Sequence, residues 1–186
     1  MLAGVSHDLR TILTRFKLEL AFLGDGPKIK PLKEDVEEMQ RMLEAYMAFV
    51  RGDGGEKTEA VNLAQMFSSV ASAVGRGKSH VALEVQDVDV SIKPNAFRRL
   101  LSNLLGNAVR YADNVKVKGG VENRLLTILV DDDGPGIPAK NREDAFRPFV
   151  RLDHARNLDE TGTGLGLAIA LDIAHAHGGE IRLDDS

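Results

Sequence analysis

The sequence of 186 residues contains no cysteine. A disulfide framework and a thiolate metal site are therefore excluded, and the five histidines lack the spacing of a zinc motif. A chain without cysteine fits a reducing, cytoplasmic setting. No apolar run approaches the ~20 residues needed to span a bilayer, and no charged-then-apolar signal pattern stands at the N-terminus. We therefore expect a cytoplasmic chain without membrane contact.

The chain also lacks an excess of positive charge. Its formal net charge is −4, its pI is about 5.7, and no cluster of Lys and Arg stands out. Direct binding to nucleic acid is therefore not expected. Hydrophobic residues make up 43% of the chain, which is enough for one large core or two small ones. We predict two domains, because the pattern changes after a glycine-rich segment at 52–55.

Apolar residues recur every three or four positions in two N-terminal segments, which predicts two amphipathic helices. The helices are separated by the turn from Gly24 to Pro31, where glycine and proline break the first stripe, and the second ends at Gly52. The first stripe is Leu2, Val5, Leu9, Ile12, Phe16, Leu20 and Leu23, and the second is Leu32, Val36, Met39, Leu43, Tyr46 and Val50. A lone hairpin would expose this apolar seam, so we predict that two copies form a dimeric four-helix bundle. The alternative is packing on the rest of the same chain.

Helices and strands alternate in the rest of the chain. Helices are predicted at 62–74, 95–111 and 165–177, and strands at 81–85, 88–92, 115–118, 125–130 and 181–183. The third and fourth strands read as a hairpin, and residues 134–162 form a long irregular stretch. This pattern predicts an α/β sandwich with helices on one face of a mixed sheet.

His7 is the first residue with possible chemistry. It lies two positions from both Val5 and Leu9, which turns it away from the apolar stripe, and Thr11 follows one turn later on the same face. An exposed neutral imidazole beside Asp8 could act as a nucleophile near pH 7. An ordinary surface histidine would look the same. The other four histidines carry no motif and are assigned to surface or packing.

Asn103 and Asn107 lie four residues apart and share one face of a predicted helix. A carboxamide oxygen can hold Mg²⁺ while the ion keeps waters and binds the phosphates of ATP. Arg110 could reach a phosphate, and Tyr111 offers a ring face to a base. A polar helix face with inter-helix hydrogen bonds would explain the two asparagines alone equally well.

Asp132 stands where an apolar strand meets two glycines, Gly134 and Gly136. Its carboxylate could accept a hydrogen bond from the adenine amino group, and the glycines would let the backbone approach a ligand closely. The alternative is an acidic turn. A calcium-binding EF-hand is not indicated, because the alternating ligands and the closing glutamate are missing.

The segment Gly162-Thr163-Gly164-Leu165-Gly166 stands directly before a predicted helix. Its backbone N–H groups could cradle phosphates, helped by the positive end of the helix dipole. It is not a P-loop, because no Gly-Lys-Ser/Thr follows, and no strand leads tightly into it as in a dinucleotide fingerprint. A flexible turn is the alternative reading.

A loop of about two dozen residues, with Phe146, Arg147, Phe149 and Arg151, separates these last two segments. A loop of such length is usually functional or disordered, and we interpret it as a lid over a nucleotide. The alternative is an ordinary loop that its two phenylalanines anchor to the core.

In this order, the segments resemble the H, N, G1, F and G2 boxes of the sensor histidine kinases of two-component systems, and the first looks especially like that of osmosensing kinases. The corresponding segments are Ser6 to Thr11, Asn103 to Tyr111, Asp132 to Gly136, Phe146 to Phe149, and Gly162 to Gly166. The resemblance implies an α+β chain with a dimerisation and phosphotransfer hairpin at 1–51, a linker at 52–60 and a GHKL (Bergerat-type) ATP-binding domain at 61–186 that lacks its last strand.

The resemblance also implies roles for single residues. His7 would be the phosphoacceptor, Asp8 an acid/base helper, Asn107 the Mg²⁺ ligand and Asp132 the residue that reads adenine. A homodimer would then use ATP and Mg²⁺ to phosphorylate His7 and pass the group to an aspartate on the receiver domain of a response regulator. Thr11 would position water for dephosphorylation of that regulator.

Ile12 is a departure from the family, which usually has proline there. Proline inside a helix costs roughly 3 kcal/mol and kinks it, so isoleucine removes an expected bend. The short helix before His7 and the end at Ser186 are expected to be the boundaries of a piece of a longer chain, and the resemblance implies that this piece is the cytoplasmic part of a membrane-anchored sensor. Two alternatives remain, namely a catalytically silent nucleotide-binding module and another GHKL ATPase acting on serine, which would leave the His-bearing hairpin unexplained.

Overall fold

The computed structural model describes residues 2–24, 26–50, 55–75, 79–151 and 163–185; the side chains at 2–8, 45 and 48–50 lie outside this description. The chain divides into two compact units. The described residues up to 50 and Thr163 belong to the first unit, and those of 55–151 and 164–185 to the second. The two units are described in turn.

The first unit is a hairpin of helix α1 (Leu2–Phe22) packed on helix α2 (Ile29–Val50), as predicted. The turn closes where the N–H groups of Ile29 and Lys30 donate to the Gly26 carbonyl, at 2.8 and 3.1 Å. The sequence analysis placed Pro31 in the turn between the helices, but Pro31 lies in the first turn of α2. Proline is tolerated there because the first N–H groups of a helix have no partner within it.

The hairpin buries little of its apolar surface by itself. Leu13 and Met47 are buried, each at 6% exposure, and α1 runs without interruption through Ile12. The exposed large apolar side chains of this unit are Leu9, Ile12, Phe16, Leu18, Phe22, Leu23, Leu32, Met39 and Tyr46. The predicted dimeric bundle therefore stays a proposal, with an exposed apolar seam available for it. Among the described helices, none combines the length and the hydropathy of a membrane span.

In its described residues, the second unit combines five strands with three helices, which confirms the predicted mixed α and β fold. The strands are β1 (Glu59–Asn62), β2 (His80–Val85), β3 (Asp89–Ile92), β4 (Asn114–Glu122) and β5 (Leu125–Asp132), and the helices are α3 (Leu63–Val74), α4 (Pro94–Tyr111) and α5 (Gly166–Ala176). Two short 3₁₀ helices, Ala139–Asn141 and Asp144–Phe146, lie in the loop before α5.

The main sheet has the order β2-β4-β5, with β2 parallel and β5 antiparallel to β4. Asn123 and Arg124 form the two-residue turn of the predicted β4–β5 hairpin, both with positive φ, the conformation that matches the twist of such a hairpin. Alternate residues of β4 point in opposite directions, so Val115 and Val117 are buried while Lys116 is exposed. The helices therefore cover one face of the sheet.

Strand β1 was not predicted. It pairs antiparallel with β3, and Asn62 at its end caps α3 by accepting the N–H of Gln65 at 3.0 Å. Glu59 and Ala60 have weak strand preference, and they form a strand because β3 provides a ladder of hydrogen bonds. Part of the segment expected to be linker thus belongs to a two-stranded sheet.

The prediction of a strand at 181–183 is wrong. Residues 179–185 are irregular and pair with no strand of the described sheets. An alternating pattern makes a strand only where a neighbour supplies ladder hydrogen bonds. Arg142 instead forms ion pairs with Asp184 and Asp185, while Ile181 and Leu183 line a cavity.

Candidate nucleotide-binding site

A cavity of about 280 Å³ lies in the second unit. Its walls are one face of α4, the end of β5 with the loop that follows, Leu167 of α5 and the segment 181–185. Four of the residues predicted from the sequence line it: Asn107, Tyr111, Asp132 and Gly136. Residues from separate motifs thus meet around one space.

One face of α4 forms the first wall. Leu104, Asn107, Ala108 and Tyr111 line the cavity at the spacing i, i+3, i+4 and i+7, which is a single helix face. Leu105, the residue after Leu104, is buried in the core, and so is Ala108 of the cavity face itself, so the rotation of α4 is fixed. Leu104 was missed by the sequence analysis, although its spacing from Asn107 and Tyr111 could have identified it.

The other predicted residues of α4 lie elsewhere. Asn103 is half-buried, and its side-chain oxygen approaches α5, since a Cβ on Gly166 would be 3.5 Å from it. Arg110 is exposed and is not part of the cavity wall. The two asparagines therefore have different surroundings: Asn107 faces the cavity and Asn103 faces the glycine-rich segment.

Asp132 is the last residue of β5. One carboxylate oxygen, Oδ1, accepts the N–H of Gly134 at 3.0 Å, which orients the side chain and leaves Oδ2 for a donor in the cavity. A Cβ at position 134 would lie 2.7 Å from that Oδ1 and 2.9 Å from the Tyr111 carbonyl oxygen, so only glycine fits. The glycine allows β5 and α4 to approach closely.

Asp133 was not singled out in the sequence, but it holds this corner together. Its Oδ1 accepts the backbone N–H groups of Asp113 and Asn114, both at 2.9 Å, and its Oδ2 accepts the Asn114 side-chain amide at 2.6 Å. The hydrogen bonds from the backbone and side chain of Asn114 lower the pKa of the Asp133 carboxyl below its usual value. A run of three aspartates offers no sequence signal for which one has this role.

The glycine-rich segment meets the phenylalanine segment. Phe149 donates its N–H to the Gly164 carbonyl at 3.0 Å, and a Cβ on Gly164 would lie 2.9 Å from the Phe149 carbonyl carbon. Gly164 has a φ of +67°, so glycine is required for conformation as well as for space. Thr163 is half-buried, the Leu165 side chain is fully buried in the core, and Gly162 lies outside the described residues.

The start of the predicted lid is ordered on the second unit. Phe146 ends a 3₁₀ helix, and Arg147 pairs with Asp144 at 2.9 Å. Phe149 has a φ of 65°, an uncommon conformation for a bulky residue, and its side chain is 47% exposed. Most of the predicted lid beyond Phe149 lies outside the described residues, namely 152–162.

The α4 wall of the cavity provides one protein ligand suited to Mg²⁺, the side chain of Asn107. No group of three or more His, Asp or Glu residues in the described part of the chain could hold a metal ion. Mg²⁺ that binds with a nucleotide needs few protein ligands, because phosphate oxygens and water supply most of them. The carboxamide of Asn107, half-buried in the cavity wall, fits this arrangement.

The residues predicted for phosphoryl transfer lie in the first unit. His7 and Asp8 are in α1, but their side chains, and with them the predicted exposure of the imidazole, lie outside the described residues. Thr11 is exposed on the same helix.

Comparison with known proteins identifies the family. The family described as histidine kinase-, DNA gyrase B-, and HSP90-like ATPase matches residues 92–186. The sensor histidine kinase CpxA of Escherichia coli (strain K12) is 31% identical over 206 residues, which cover 100% of this chain and 44% of CpxA.

Two solved structures are similar in fold. The NMR structure of the histidine kinase domain of the E. coli osmosensor EnvZ has a TM-score of 0.52 and 33% identity, covering 70% of this chain and 81% of that one. The crystal structure of full-length ShkA in complex with AMPPNP has a TM-score of 0.70 at 23% identity, covering 95% of this chain and 41% of ShkA.

The chain therefore belongs to the histidine kinase-, DNA gyrase B- and HSP90-like ATPase family, and the predicted relationship to sensor histidine kinases is confirmed. The matched segment, 92–186, contains every residue that lines the cavity. The chain spans less than half the length of the curated relatives it matches.

Proposed function

We propose that this chain is the kinase core of a two-component sensor, which binds ATP in the cavity of the second unit and transfers the γ-phosphoryl group to His7. The observation that carries the proposal is the cavity itself. It unites Asn107, Tyr111, Asp132 and Gly136 within the segment that the ATPase family matches.

Adenine recognition would use Asp132. Its Oδ1 is occupied by the Gly134 N–H, so its Oδ2 can accept a hydrogen bond from the adenine amino group. The apolar side chains of Leu104, Ile137 and Leu167 in the same cavity would contact the faces of a flat base. Guanine carries a carbonyl where adenine carries the amino group, so a carboxylate at this position favours adenine.

The phosphates would bind near the start of α5. This helix begins at Gly166, and no side chain caps its first N–H groups, which leaves them available to an anion. Gly164 and Leu165, which directly precede the helix in the same unit, would contribute backbone N–H groups. Asn103 approaches Gly166 from α4 and could orient this segment.

Asn107 would hold Mg²⁺ through its carboxamide oxygen. When bound, the ion neutralises charge on the transferring phosphoryl group and on the departing ADP. Arg110 of the same helix is exposed and could interact with a phosphate beyond the cavity.

The transfer step would be an in-line displacement. A neutral ring nitrogen of His7 attacks the γ-phosphorus, the bond to the bridging oxygen breaks, and ADP departs with that electron pair. Asp8 beside it would orient the imidazole and accept the proton that the other ring nitrogen releases as the nitrogen–phosphorus bond forms. The phosphoryl group would then pass to an aspartate on the receiver domain of a response regulator. Thr11 would assist the later hydrolysis of that aspartyl phosphate.

The exposed seam of the hairpin supports a homodimer. Leu9, Ile12 and Phe16 lie on one stripe of α1 and are exposed in a single copy. Two such hairpins would cover each other in a four-helix bundle. We propose a cytoplasmic location for this part of the sensor, without nucleic acid as a partner.

The test is incubation with γ-labelled ATP and Mg²⁺. Label on histidine should be acid-labile and alkali-stable, and it should vanish in His7→Gln while ATP binding persists. His80→Gln, at an exposed histidine of β2, is the matched control and should label normally. Undiminished labelling of His7→Gln would show that the acceptor is another residue.

A catalytically silent nucleotide-binding module is the second candidate. The observation in its favour is Ile12, where α1 continues without the proline of the family. ATP binding without label in the wild type, followed by label in Ile12→Pro, would support it.

A further inference from the structure

Asp133 lies outside the cavity but joins two of its walls. Its carboxylate accepts three hydrogen bonds, from the N–H groups of Asp113 and Asn114 at 2.9 Å and from the Asn114 side chain at 2.6 Å. Its own N–H donates to the Asn114 carbonyl at 3.2 Å. Four hydrogen bonds thus connect one residue to the junction between α4 and β4.

This junction directly follows the α4 wall. Tyr111 is the last residue of α4, and Asp113 is two residues later. Ser79 holds the same end of α4 by donating to the carbonyls of Val109 and Ala112, at 3.0 and 2.8 Å. Asp133 therefore attaches to a fixed part of the unit.

On the other side, Asp133 directly follows Asp132. The β4–β5 ladder ends at the pair Val115 and Asp132, so the next pair would be Asn114 and Asp133. A ladder end frays unless it is held. The Asp133 carboxylate accepts the Asn114 N–H in place of a backbone carbonyl, and this extends the ladder past Asp132.

We propose that Asp133 is a positioning residue for adenine recognition, which sets the separation between Tyr111 and the Asp132 carboxylate. This inference rests on the proposed function. Without the Asp133 contacts, Asp132 would be the loose end of a strand, and its carboxylate would no longer be held opposite the α4 wall.

The Asp133–Asn114 pair permits a swap experiment. An amide at 133 keeps one oxygen for the backbone N–H groups of Asp113 and Asn114, and its own N–H donors reach an acceptor only if the Asn114 amide turns over, so Asp133→Asn replaces hydrogen bonds to a charged group by weaker neutral ones. Asn114→Asp would set two carboxylates against each other. The double variant Asp133→Asn with Asn114→Asp restores a carboxylate–amide pair with donor and acceptor exchanged.

The measurement is the affinity for ADP and for GDP by calorimetry, with thermal unfolding followed in parallel. Loss of a hydrogen bond to a charged group should weaken ADP binding by Asp133→Asn roughly tenfold. The preference for ADP over GDP should fall as well, because it depends on where Asp132 lies. The double variant should recover most of both. Glu122→Gln, at the far end of β4, removes the same charge and should bind as wild type.

The inference is overturned if folded Asp133→Asn binds ADP with wild-type affinity and preference, or if the swap recovers neither. If Asp133→Asn does not fold, the ADP affinity of Asn114→Asp is compared with that of the double variant. Equal ADP affinities of these two proteins overturn the inference. Wild-type protein that phosphorylates His7 would keep the proposed function in either case. Wild-type protein that binds no adenine nucleotide would overturn both.

Discussion

The helical hairpin and the second unit differ in how they bury their apolar residues. In the second unit, Phe67, Leu101 and Ile173 are almost completely buried within the same chain. In the hairpin, Leu13 and Met47 are buried, while Ile12 and Phe16 of the predicted seam are exposed. The second unit therefore has its own core, whereas the hairpin has an apolar face that a second copy could cover.

Removal of core volume from the second unit should have the largest effect. Phe67 is fully buried between α3 and the sheet, so Phe67→Ala should lower the free energy of unfolding by about 3–5 kcal/mol. Leu125→Ala, at a residue 67% exposed on β5, should change it by less than about 0.5 kcal/mol. Urea denaturation followed by circular dichroism measures both. Similar losses for the two variants would contradict a core confined to the helix-covered face.

A charge in the seam should act on association. Phe16→Asp buries a carboxylate if two hairpins pair, so it should weaken the dimer by on the order of 100-fold, ~3 kcal/mol, and leave ADP binding intact. The control is Lys17→Asp, at the next, polar position. Sedimentation at several concentrations measures the change. A dimer that survives Phe16→Asp unchanged would place its interface elsewhere.

A smaller effect is expected at the start of α4. Glu56 accepts the N–H groups of Asn95 and Ala96, at 2.8 and 3.1 Å, and so caps the helix that carries the cavity wall. Glu56→Ala should lower the free energy of unfolding of the second unit by about 1 kcal/mol, and Lys57→Ala by much less. Thermal unfolding would distinguish them, and equal melting temperatures for the two variants would argue against the cap.

The pH dependence of this cap should be the smallest measurable effect. Burial alone would raise the pKa of Glu56, but the hydrogen bonds from Asn95 and Ala96 outweigh it and lower the pKa below its usual value. The ionised carboxylate therefore stabilises the fold above the unfolded-state pKa of about 4.3, and the stabilisation is lost as the pH falls through the lower folded-state pKa. The stability difference from Glu56→Gln should be constant near neutral pH and vanish in acid. A stability difference that grows as the pH falls would mean that folding raises the pKa of Glu56 instead of lowering it.

Most helices and strands could be predicted because their patterns are local. The periodicity from Asn95 to Tyr111 predicted α4 to within one residue, and Asn62 was correctly expected at the start of α3. The errors in the strand predictions arose where a neighbouring strand decides whether a segment becomes a strand. Glu59 and Ala60 became a strand because β3 lies beside them, and residues 181–183 did not, although their alternation is stronger.

The sequence by itself determined the helix faces, the hairpin turn and the order of the motifs, since these depend on residues a few positions apart. Only the tertiary structure decided that Asn107 and Asp132 face one cavity while Arg110 does not, and that Asp133 rather than Asp132 binds the α4–β4 junction. His177, without a motif, likewise accepts the Lys93 N–H at 3.2 Å and lies against the Phe97 ring. Such contacts join residues that are distant along the chain, and their geometry follows from strand register and helix rotation, which no short stretch of sequence contains.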